Sequence, residues 1–279
     1  MYRTKSLFVA AVVVLLVAAS ASAAVITSNG TGGGNYGSTA TWNGGSVPLA
    51  GDSVIITAND VVTVTDLRVI GSVQLDTTSG TKVLDVQSGG NVTITGTGNA
   101  LLINAPTIGV HTVQLSGGSI NVQNGDVAIF GGISTVARVS FAAGGGLLTA
   151  KQLLFSGTAA NAQVNFPGGS GSVNLQGDLS SGGTINSAGS TFTFDGSGSQ
   201  TINPYTFHNL TVNKTGTAVL NGPITVNGNL AVTNGLLDDG GYQISLNAGT
   251  TSLVTIGNNG VLKLGSATSA TGFPSPVNG

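Results

Sequence analysis

The chain has no cysteine and no glutamate among its 279 residues, and only 6% of its residues are charged. Without cysteine it can form neither a disulfide framework nor a thiolate metal site. The scarcity of Glu, Lys and Arg, which favour helices, argues against a helical bundle. The 8 basic and 10 acidic residues leave a net charge of -2. The chain therefore lacks the clustered positive charge that nucleic-acid binding requires.

Proline and aromatic residues are also rare, whereas glycine is abundant. The 7 prolines, together with the lack of a three-residue glycine period, exclude a collagen-like chain. Disordered chains combine low hydrophobicity with high net charge. Here 40% of the residues are hydrophobic, alongside 45 glycines. The composition therefore favours a folded protein built from β-strands and tight turns.

The first residues have the pattern of a secretory signal peptide. Arg3 and Lys5 precede an uninterrupted apolar stretch, Leu7 to Ala19, and Ala21-Ser22-Ala23 is typical of a cleavage site. The stretch is shorter than the roughly 20 residues of a bilayer span. We predict that residues 1–23 are removed and that the mature chain has no integral membrane span. Its expected location is extracellular or on the cell surface, and an exported chain without cysteine favours a bacterial source.

After this segment, short runs of Val, Ile, Leu and Thr alternate with polar residues and stop at Gly, Asn, Asp or Ser. Examples are Val61–Val64, Val83–Val86, Asn91–Ile94 and Val261–Leu264. Alternation with a period of two residues predicts strands, and bounding turn residues strengthen that prediction. No stretch after the signal peptide shows a helical apolar period. The sequence predicts an all-β fold.

Internal similarity favours a solenoid among the architectures that many short strands can build. Residues 118–126 resemble residues 171–178, and the segment 209–213 recurs twenty residues later. We predict a right-handed single-stranded parallel β-helix with about 20 residues per coil. It would span residues 51–279, after an opening and capping segment at 24–50. A β-sandwich with coincidental repeats is the alternative.

The low charge has a physical reason in such a fold. Neighbouring coils place equivalent side chains about 4.8 Å apart. A charge repeated at one coil position would therefore face its own like charge, which is destabilising. Thr, Ser and Asn stack without that penalty, and asparagines at repeated turn positions are expected to form hydrogen-bonded ladders.

Two stretches resemble known exported proteins. Residues 41–56, with Trp42, Val47-Pro48 and Gly51-Asp52, resemble the opening of large bacterial surface β-helix proteins and of the eight-glycine domain. Residues 192–246 resemble the repeats of secreted adhesin-like β-helix proteins of environmental bacteria. The resemblance implies a secreted β-helix and no particular ligand. Because such proteins usually continue into more coils and an anchoring module, this chain is expected to be either a fragment or a short free form.

No catalytic, cofactor-binding or metal-binding residue is predicted, and no cofactor. β-Helical polysaccharide lyases cluster several acids for calcium beside a lysine or arginine. Here the basic residues after the signal peptide are scattered singly along the chain: Arg68, Lys82, Arg138, Lys151, Lys214 and Lys263. The adjacent Asp238 and Asp239 are expected to form a turn. His111 and His208 are the only histidines and are interpreted as structural.

The expected function is that of a secreted structural or adhesive protein of the cell surface or extracellular matrix, without its own catalysis. Its expected partners are glycans or other cell-surface components. Two alternatives stay open. The first is a polysaccharide lyase or glycoside hydrolase, which a groove with three aspartates and a nearby Lys or Arg would favour. The second is an ice-binding solenoid, suggested by Thr63–Thr65, Thr93–Thr95 and Thr191–Thr193, although these copies are not expected at one fixed coil position.

Overall fold

The computed structural model describes residues 23–246 and 253–265 as parallel strands stacked into a β-helix of about nine turns. This confirms the predicted parallel β-helix, and the β-sandwich alternative is wrong. The described ranges contain no α-helix, only short 3-10 turns at Thr39–Thr41 and Asn43–Gly45. No helix in them is long and apolar enough to cross a membrane. The predicted signal peptide, except for Ala23, lies outside the described residues.

In the described ranges, twenty-four strands build the helix, most of them three to seven residues long. In chain order they are β1 (Val25–Thr27), β2 (Gly33–Asn35), β3 (Ser53–Ile56), β4 (Val61–Val64), β5 (Leu67–Ile70), β6 (Ser72–Leu75), β7 (Lys82–Gln87), β8 (Asn91–Asn104), β9 (Val110–Ser116), β10 (Ser119–Gly131), β11 (Val136–Phe141), β12 (Leu147–Ala150), β13 (Leu153–Gly157), β14 (Ala162–Asn165), β15 (Ser172–Leu175), β16 (Thr184–Asn186), β17 (Thr191–Phe194), β18 (Gln200–Ile202), β19 (Thr206–Phe207), β20 (Asn209–Leu220), β21 (Ile224–Val226), β22 (Leu230–Asp238), β23 (Ile244–Leu246) and β24 (Val254–Lys263).

The strands form three faces. Face 1 contains β5, β12, β15, β17 and the first halves of the long strands β8, β10, β20, β22 and β24. Face 2 contains β1, β3, β6, β13, β18 and the second halves of those long strands. Face 3 contains β2, β4, β7, β9, β11, β14 and β16. Later in the chain, β19, β21 and β23 form a separate three-stranded sheet. The long strands turn the corner between faces 1 and 2, where their register shifts.

Coil length varies along the helix. Val173 pairs with Phe192, nineteen residues later, and Leu210 pairs with Leu230, twenty residues later. In the middle of the molecule, by contrast, Val92 pairs with Ile120, 28 residues later. The coil of about 20 residues therefore describes the C-terminal part. The longer coil also has longer strands: β8 and β9 have 14 and 7 residues, whereas β20 and β21 of the shorter coil have 12 and 3.

Alternate side chains point inward and form one continuous core. In its middle, aromatic rings from successive coils pack in a row. Phe141 stacks on Phe166 with ring centroids 4.4 Å apart, and Phe192 contacts both Phe166 and Phe207 edge to face, at 6.0 and 5.3 Å. All four rings are almost completely buried. Because aromatic contacts add to the stability gained from burial alone, this row joins neighbouring coils firmly.

The segment 24–50 forms the first coil. Its strands β1 and β2 pair in parallel with β3 and β4 of the next coil. Trp42 packs edge to face on Tyr36, with centroids 4.9 Å apart, and its indole N–H donates to the Tyr36 carbonyl at 2.8 Å. The guanidinium group of Arg68, which lies on the next coil, is 4.9 Å from the centroid of the Tyr36 ring. The two aromatic residues thus anchor this segment in the core.

The corners are held by stacked amides and by glycines where backbones come close. Asn221 donates from its side-chain amide to Asn203 at 3.0 Å, and Asn203 in turn donates to the Leu179 carbonyl at 2.7 Å. These contacts are the expected asparagine ladder. Gly189 has a φ of +68°, and a Cβ placed on it would lie 1.5 Å from the Gly169 carbonyl oxygen. Only glycine fits this corner, for both reasons.

Candidate functional site: a polar groove at one corner

The corner between faces 1 and 2 brings together polar side chains that are far apart in the sequence. We call the cavity there the corner groove. It has a volume of about 570 Å³ and is lined by Gln123, Asn124, Lys151, Gln176, Asp195 and Ser197, together with Gly196. The register of β10, β12, β15 and β17 places four of these residues at one position of four successive coils: Gln123, Lys151, Gln176 and Asp195. A polar group therefore recurs about every 4.8 Å along the helix axis.

The backbone under the groove is fixed by hydrogen bonds between coils. The Lys151 N–H donates to the Gly125 carbonyl at 3.3 Å, and the Asp195 N–H donates to the Leu175 carbonyl at 3.0 Å. Gln200, only 1% exposed, donates from its side chain to Leu175 at 2.8 Å and to Gly177 at 2.7 Å. The side chains of the groove thus project from a rigid support.

Two aspartates at this corner carry charge that the protein compensates only in part. In the described part of the chain, the Oδ1 atoms of Asp126 and Asp195 are buried and have no hydrogen-bond partner. Burial raises the pKa of both carboxyl groups. The nearby Lys151 charge opposes this effect at Asp126, and a backbone hydrogen bond opposes it at Asp195. Asp195 also lines the groove, so its carboxyl group adds hydrogen-bond acceptor chemistry to that surface.

Two further charged residues lie at the same corner. Asp178 accepts a hydrogen bond from the Thr201 N–H at 2.6 Å. Lys214 is 2% exposed, and its ammonium group donates to the carbonyls of Gly198 and Thr217. Burial lowers the pKa of Lys214, against the opposing effect of Asp178. The charges that look isolated in the sequence are therefore concentrated here in space.

Sequence reasoning missed this concentration because the coils differ in length. Lys151 and Gln176 are 25 residues apart, whereas Gln176 and Asp195 are 19 apart, yet all three share one coil position. No fixed period would align them. The available signal was the position of each residue directly after an alternating strand. Among the described residues, no group of three or more histidine or acidic side chains lies close enough to hold a metal ion.

A second regular surface lies on face 1. One coil position carries only threonine and asparagine over six successive coils, which we call the face-1 file: Thr93, Asn121, Thr149, Asn174, Thr193 and Thr211. Thr93 and Thr193 both belong to this file, but they are the first and the second threonine of their Thr-x-Thr copies. The two copies are therefore offset by two residues and, as expected, do not occupy one fixed coil position. Thr63, in the third copy, lies on face 3.

His111 belongs to a buried polar cluster at the corner between faces 2 and 3. Its Nδ1–H donates to the Asn104 carbonyl at 2.5 Å, and its Nε2 accepts from the Lys82 ammonium group at 3.0 Å. Lys82 is completely buried, lies 3.1 Å from an Asp76 oxygen and donates to the Thr78 carbonyl at 2.6 Å. Burial, and then the Lys82 charge, lower the pKa of His111 to about 4. The cluster ties two long corner segments together, which is a structural role.

The structure also places the adjacent aspartates and the second histidine. The Tyr242 N–H donates to the Asp239 carbonyl at 2.8 Å, which confirms the turn expected at Asp238 and Asp239. The Asp238 carboxylate also accepts from Lys263 at 2.7 Å. His208 is half-buried, and its carbonyl accepts from the Gly228 N–H at 2.7 Å.

No known protein family matches the chain, and no significant match was found among curated proteins or solved structures. The function must therefore be argued from the geometry of the molecule itself.

Proposed function

We propose that the protein is a secreted, non-catalytic adhesive β-helix that binds glycans of the cell surface or extracellular matrix in the corner groove. The stack of Gln123, Lys151, Gln176 and Asp195 carries this proposal. Amides, a hydroxyl, an ammonium group and a carboxylate together offer donors and acceptors for sugar hydroxyl groups. The volume of about 570 Å³ lies within the usual range for ligand sites, roughly 300–1,000 Å³.

The geometry also favours a linear polysaccharide over a single sugar. A chain that lies along the helix axis meets one polar side chain per coil, about every 4.8 Å. Because inter-coil hydrogen bonds hold the backbone beneath these side chains, little backbone conformational entropy is lost on binding. The low charge of the surface suits adhesion through many hydrogen bonds.

The test is glycan-array binding by the mature chain, followed by calorimetry on the polysaccharides that bind. Gln176→Ala removes hydrogen bonds worth about 1 kcal/mol, so the dissociation constant should rise about fivefold. Gln74→Ala, the same substitution on face 2, is the matched control and should bind like the wild type. A mature protein that binds no glycan and no cell surface would contradict the proposal.

A polysaccharide lyase or glycoside hydrolase is the second candidate, because Asp126, Asp178 and Asp195 share one corner with Lys151. The residues that directly follow Asp126 and Asp178 occupy the same position in two coils that are separated by one intervening coil. This register places the two aspartates about 10 Å apart along the helix axis. Retaining glycosidases need about 5–5.5 Å and inverting ones roughly 6.5–9.5 Å between carboxyl groups. These ranges refer to carboxyl groups that face one cavity, and of the three aspartates Asp195 alone lines the corner groove, so binding without cleavage is the better fit. New reducing ends or unsaturated products, lost in Asp195→Asn, would replace the adhesive proposal with this one.

Ice binding is the third candidate, favoured by the face-1 file. Six uncharged hydroxyl and amide side chains in register form a regular polar surface on a flat sheet. Thermal hysteresis of the mature protein measures this directly. Hysteresis that disappears in Thr149→Lys and persists in Gln176→Ala would assign ice binding to face 1.

A further inference from the structure

A second groove, on face 3, contains an arginine without an anionic partner. We call it the Arg138 groove. It has a volume of about 520 Å³ and is lined by Arg138, Ser140, Asn165, Asn186, Pro167 and Ala188, over buried Phe166. It lies on a different face from the strands that form the corner groove, and no acidic residue lines it.

Arg138 is oriented but not neutralised. Its Nε–H donates to the Thr112 hydroxyl at 3.1 Å, which fixes the plane of the guanidinium group. On the neighbouring coils Arg138 pairs with Thr112 and Gln163, both uncharged. The ion pairs of the described residues all involve other cations. The remaining N–H donors of Arg138 are therefore available to a ligand.

A column of polar side chains runs beside Arg138. Ser140, Asn165 and Asn186 occupy one position of three successive coils. Asn186 donates to the Asn165 side chain at 2.6 Å, and Asn165 donates to Gln163 at 2.8 Å. Ser140 is 7% exposed, and its hydroxyl makes no hydrogen bond within the described chain. The column thus adds a free hydroxyl and two ordered amides next to the cation.

The other side of the groove is apolar. Pro167 and Ala188 are exposed, and Phe166 beneath them is fixed by its stacking on Phe141. A rigid apolar ledge of this kind can pack against the C–H face of a sugar ring. A groove with a cation, hydroxyl and amide groups, and an apolar ledge suits a ligand that is both anionic and ring-shaped.

We propose that the Arg138 groove binds an acidic glycan through a carboxylate or sulfate group of one sugar. The planar guanidinium group donates two parallel hydrogen bonds to such an oxyanion. Ser140 and the two asparagines hydrogen-bond the sugar hydroxyl groups, and Pro167 and Ala188 contact the ring. This site is separate from the corner groove and does not depend on the function proposed for it.

The experiment uses calorimetry and chemical-shift mapping on the mature protein at about 0.15 M salt, where long-range charge effects are screened. The probes are an oligogalacturonate, a sulfated neutral oligosaccharide and the unmodified neutral oligosaccharide, all of equal length. The variants are Arg138→Gln, Arg138→Lys and Lys263→Gln. Lys263, with a side chain 58% exposed, is the matched control because its replacement removes the same charge elsewhere.

At least one acidic probe should bind the wild type and Lys263→Gln equally and the neutral probe much less. Arg138→Gln should weaken that binding at least tenfold. Arg138→Lys should have an affinity between those of the wild type and Arg138→Gln, because lysine keeps the positive charge but cannot donate two parallel hydrogen bonds. Gln176→Ala in the corner groove should bind the acidic probe normally. Which acidic probe binds identifies the anion as carboxylate or sulfate.

Three results would overturn the proposal: no acidic probe binds, Arg138→Gln binds the acidic probe as tightly as the wild type, or Lys263→Gln loses as much affinity as Arg138→Gln. Circular dichroism shows whether each variant is folded. If Arg138→Gln does not fold, Arg138→Lys decides, and wild-type affinity in that variant would also contradict a bidentate site.

Discussion

At the scale of single residues, the buried ammonium group of Lys82 is matched by polar groups of its own corner and of the next coil. Lys82 is completely buried, and its ammonium group contacts Asp76, His111 and the Thr78 carbonyl. Burial alone would raise the pKa of Asp76, but hydrogen bonds from Thr78, Thr57 and Lys82 lower it below its ordinary value. Removing one partner would leave the others buried and unsatisfied, which is costly.

His111 makes the stability of the protein depend on pH. Its pKa in the folded protein is about 4, against 6.5 in the unfolded chain. As the pH falls from 6.5 to 4, the unfolded chain takes up a proton that the folded protein does not. The free energy of unfolding should therefore decrease by about 3 kcal/mol across this window and show no further His111 effect below it.

Chemical denaturation at several pH values measures this dependence. The difference between the wild type and His111→Gln isolates the histidine from the aspartates. The control is Gln74→Ala, which removes no titratable group and should keep the wild-type pH dependence. An equal pH dependence in wild type and His111→Gln would contradict the assignment of His111 as a buried neutral group.

At the scale of elements, strand stacking explains why the faces carry so little charge. Thr193 and Thr211 are direct neighbours in the face-1 file. Lysines at both positions would repel each other across one coil spacing, so the double variant should lose about 0.5–1 kcal/mol more than the sum of the single variants. Denaturation at low and high salt measures this coupling, which should shrink as salt is added.

Distance along the file supplies the control for this prediction. Thr193 and Thr255 share a coil position but are separated by two intervening coils, at Thr211 and Ala231. The pair Thr193→Lys and Thr255→Lys should therefore show almost no coupling. Equal coupling for near and distant pairs would mean that direct stacking does not keep charge off these faces.

The same stacking sets how much of the molecule the sequence could predict. Alternation in runs such as Val61–Val64 depends only on neighbouring residues, so the strands and the parallel coil could be predicted from the sequence. Which corner residues meet depends on the number of residues in every intervening coil. Lys151 and Asp195 meet in one groove because coils of different lengths return to the same register. The corner groove and the Arg138 groove therefore required the structure.

At the scale of the whole molecule, the fold is close to one-dimensional, since each coil contacts mainly its two neighbours. Phe192 links the coils of Phe166 and Phe207 in the aromatic row. Phe192→Ala should cost about 3–5 kcal/mol because it leaves a cavity in the core. Hydrogen exchange should show lost protection in β14 to β20 and nearly unchanged protection in β3 to β6.

Phe130→Ala is the control for this prediction. Phe130 lies on β10 but is half-buried and is not part of the row, so its loss should change exchange only slightly. If Phe192→Ala instead reduced protection evenly from β3 to β22, the coils would unfold as a single cooperative unit and the nearest-neighbour description would fail.

The direction of the inter-coil hydrogen bonds also determines how the molecule bears force. These bonds run along the helix axis, whereas the covalent chain of each strand runs across it. Tension along the axis would break the hydrogen bonds between coils one coil at a time, starting from an end of the helix. A pull across the axis would load several strands in shear at once, against many hydrogen bonds together. The linear polysaccharide proposed for the corner groove lies along this axis, so tension on it would load the hydrogen bonds between coils along their own direction.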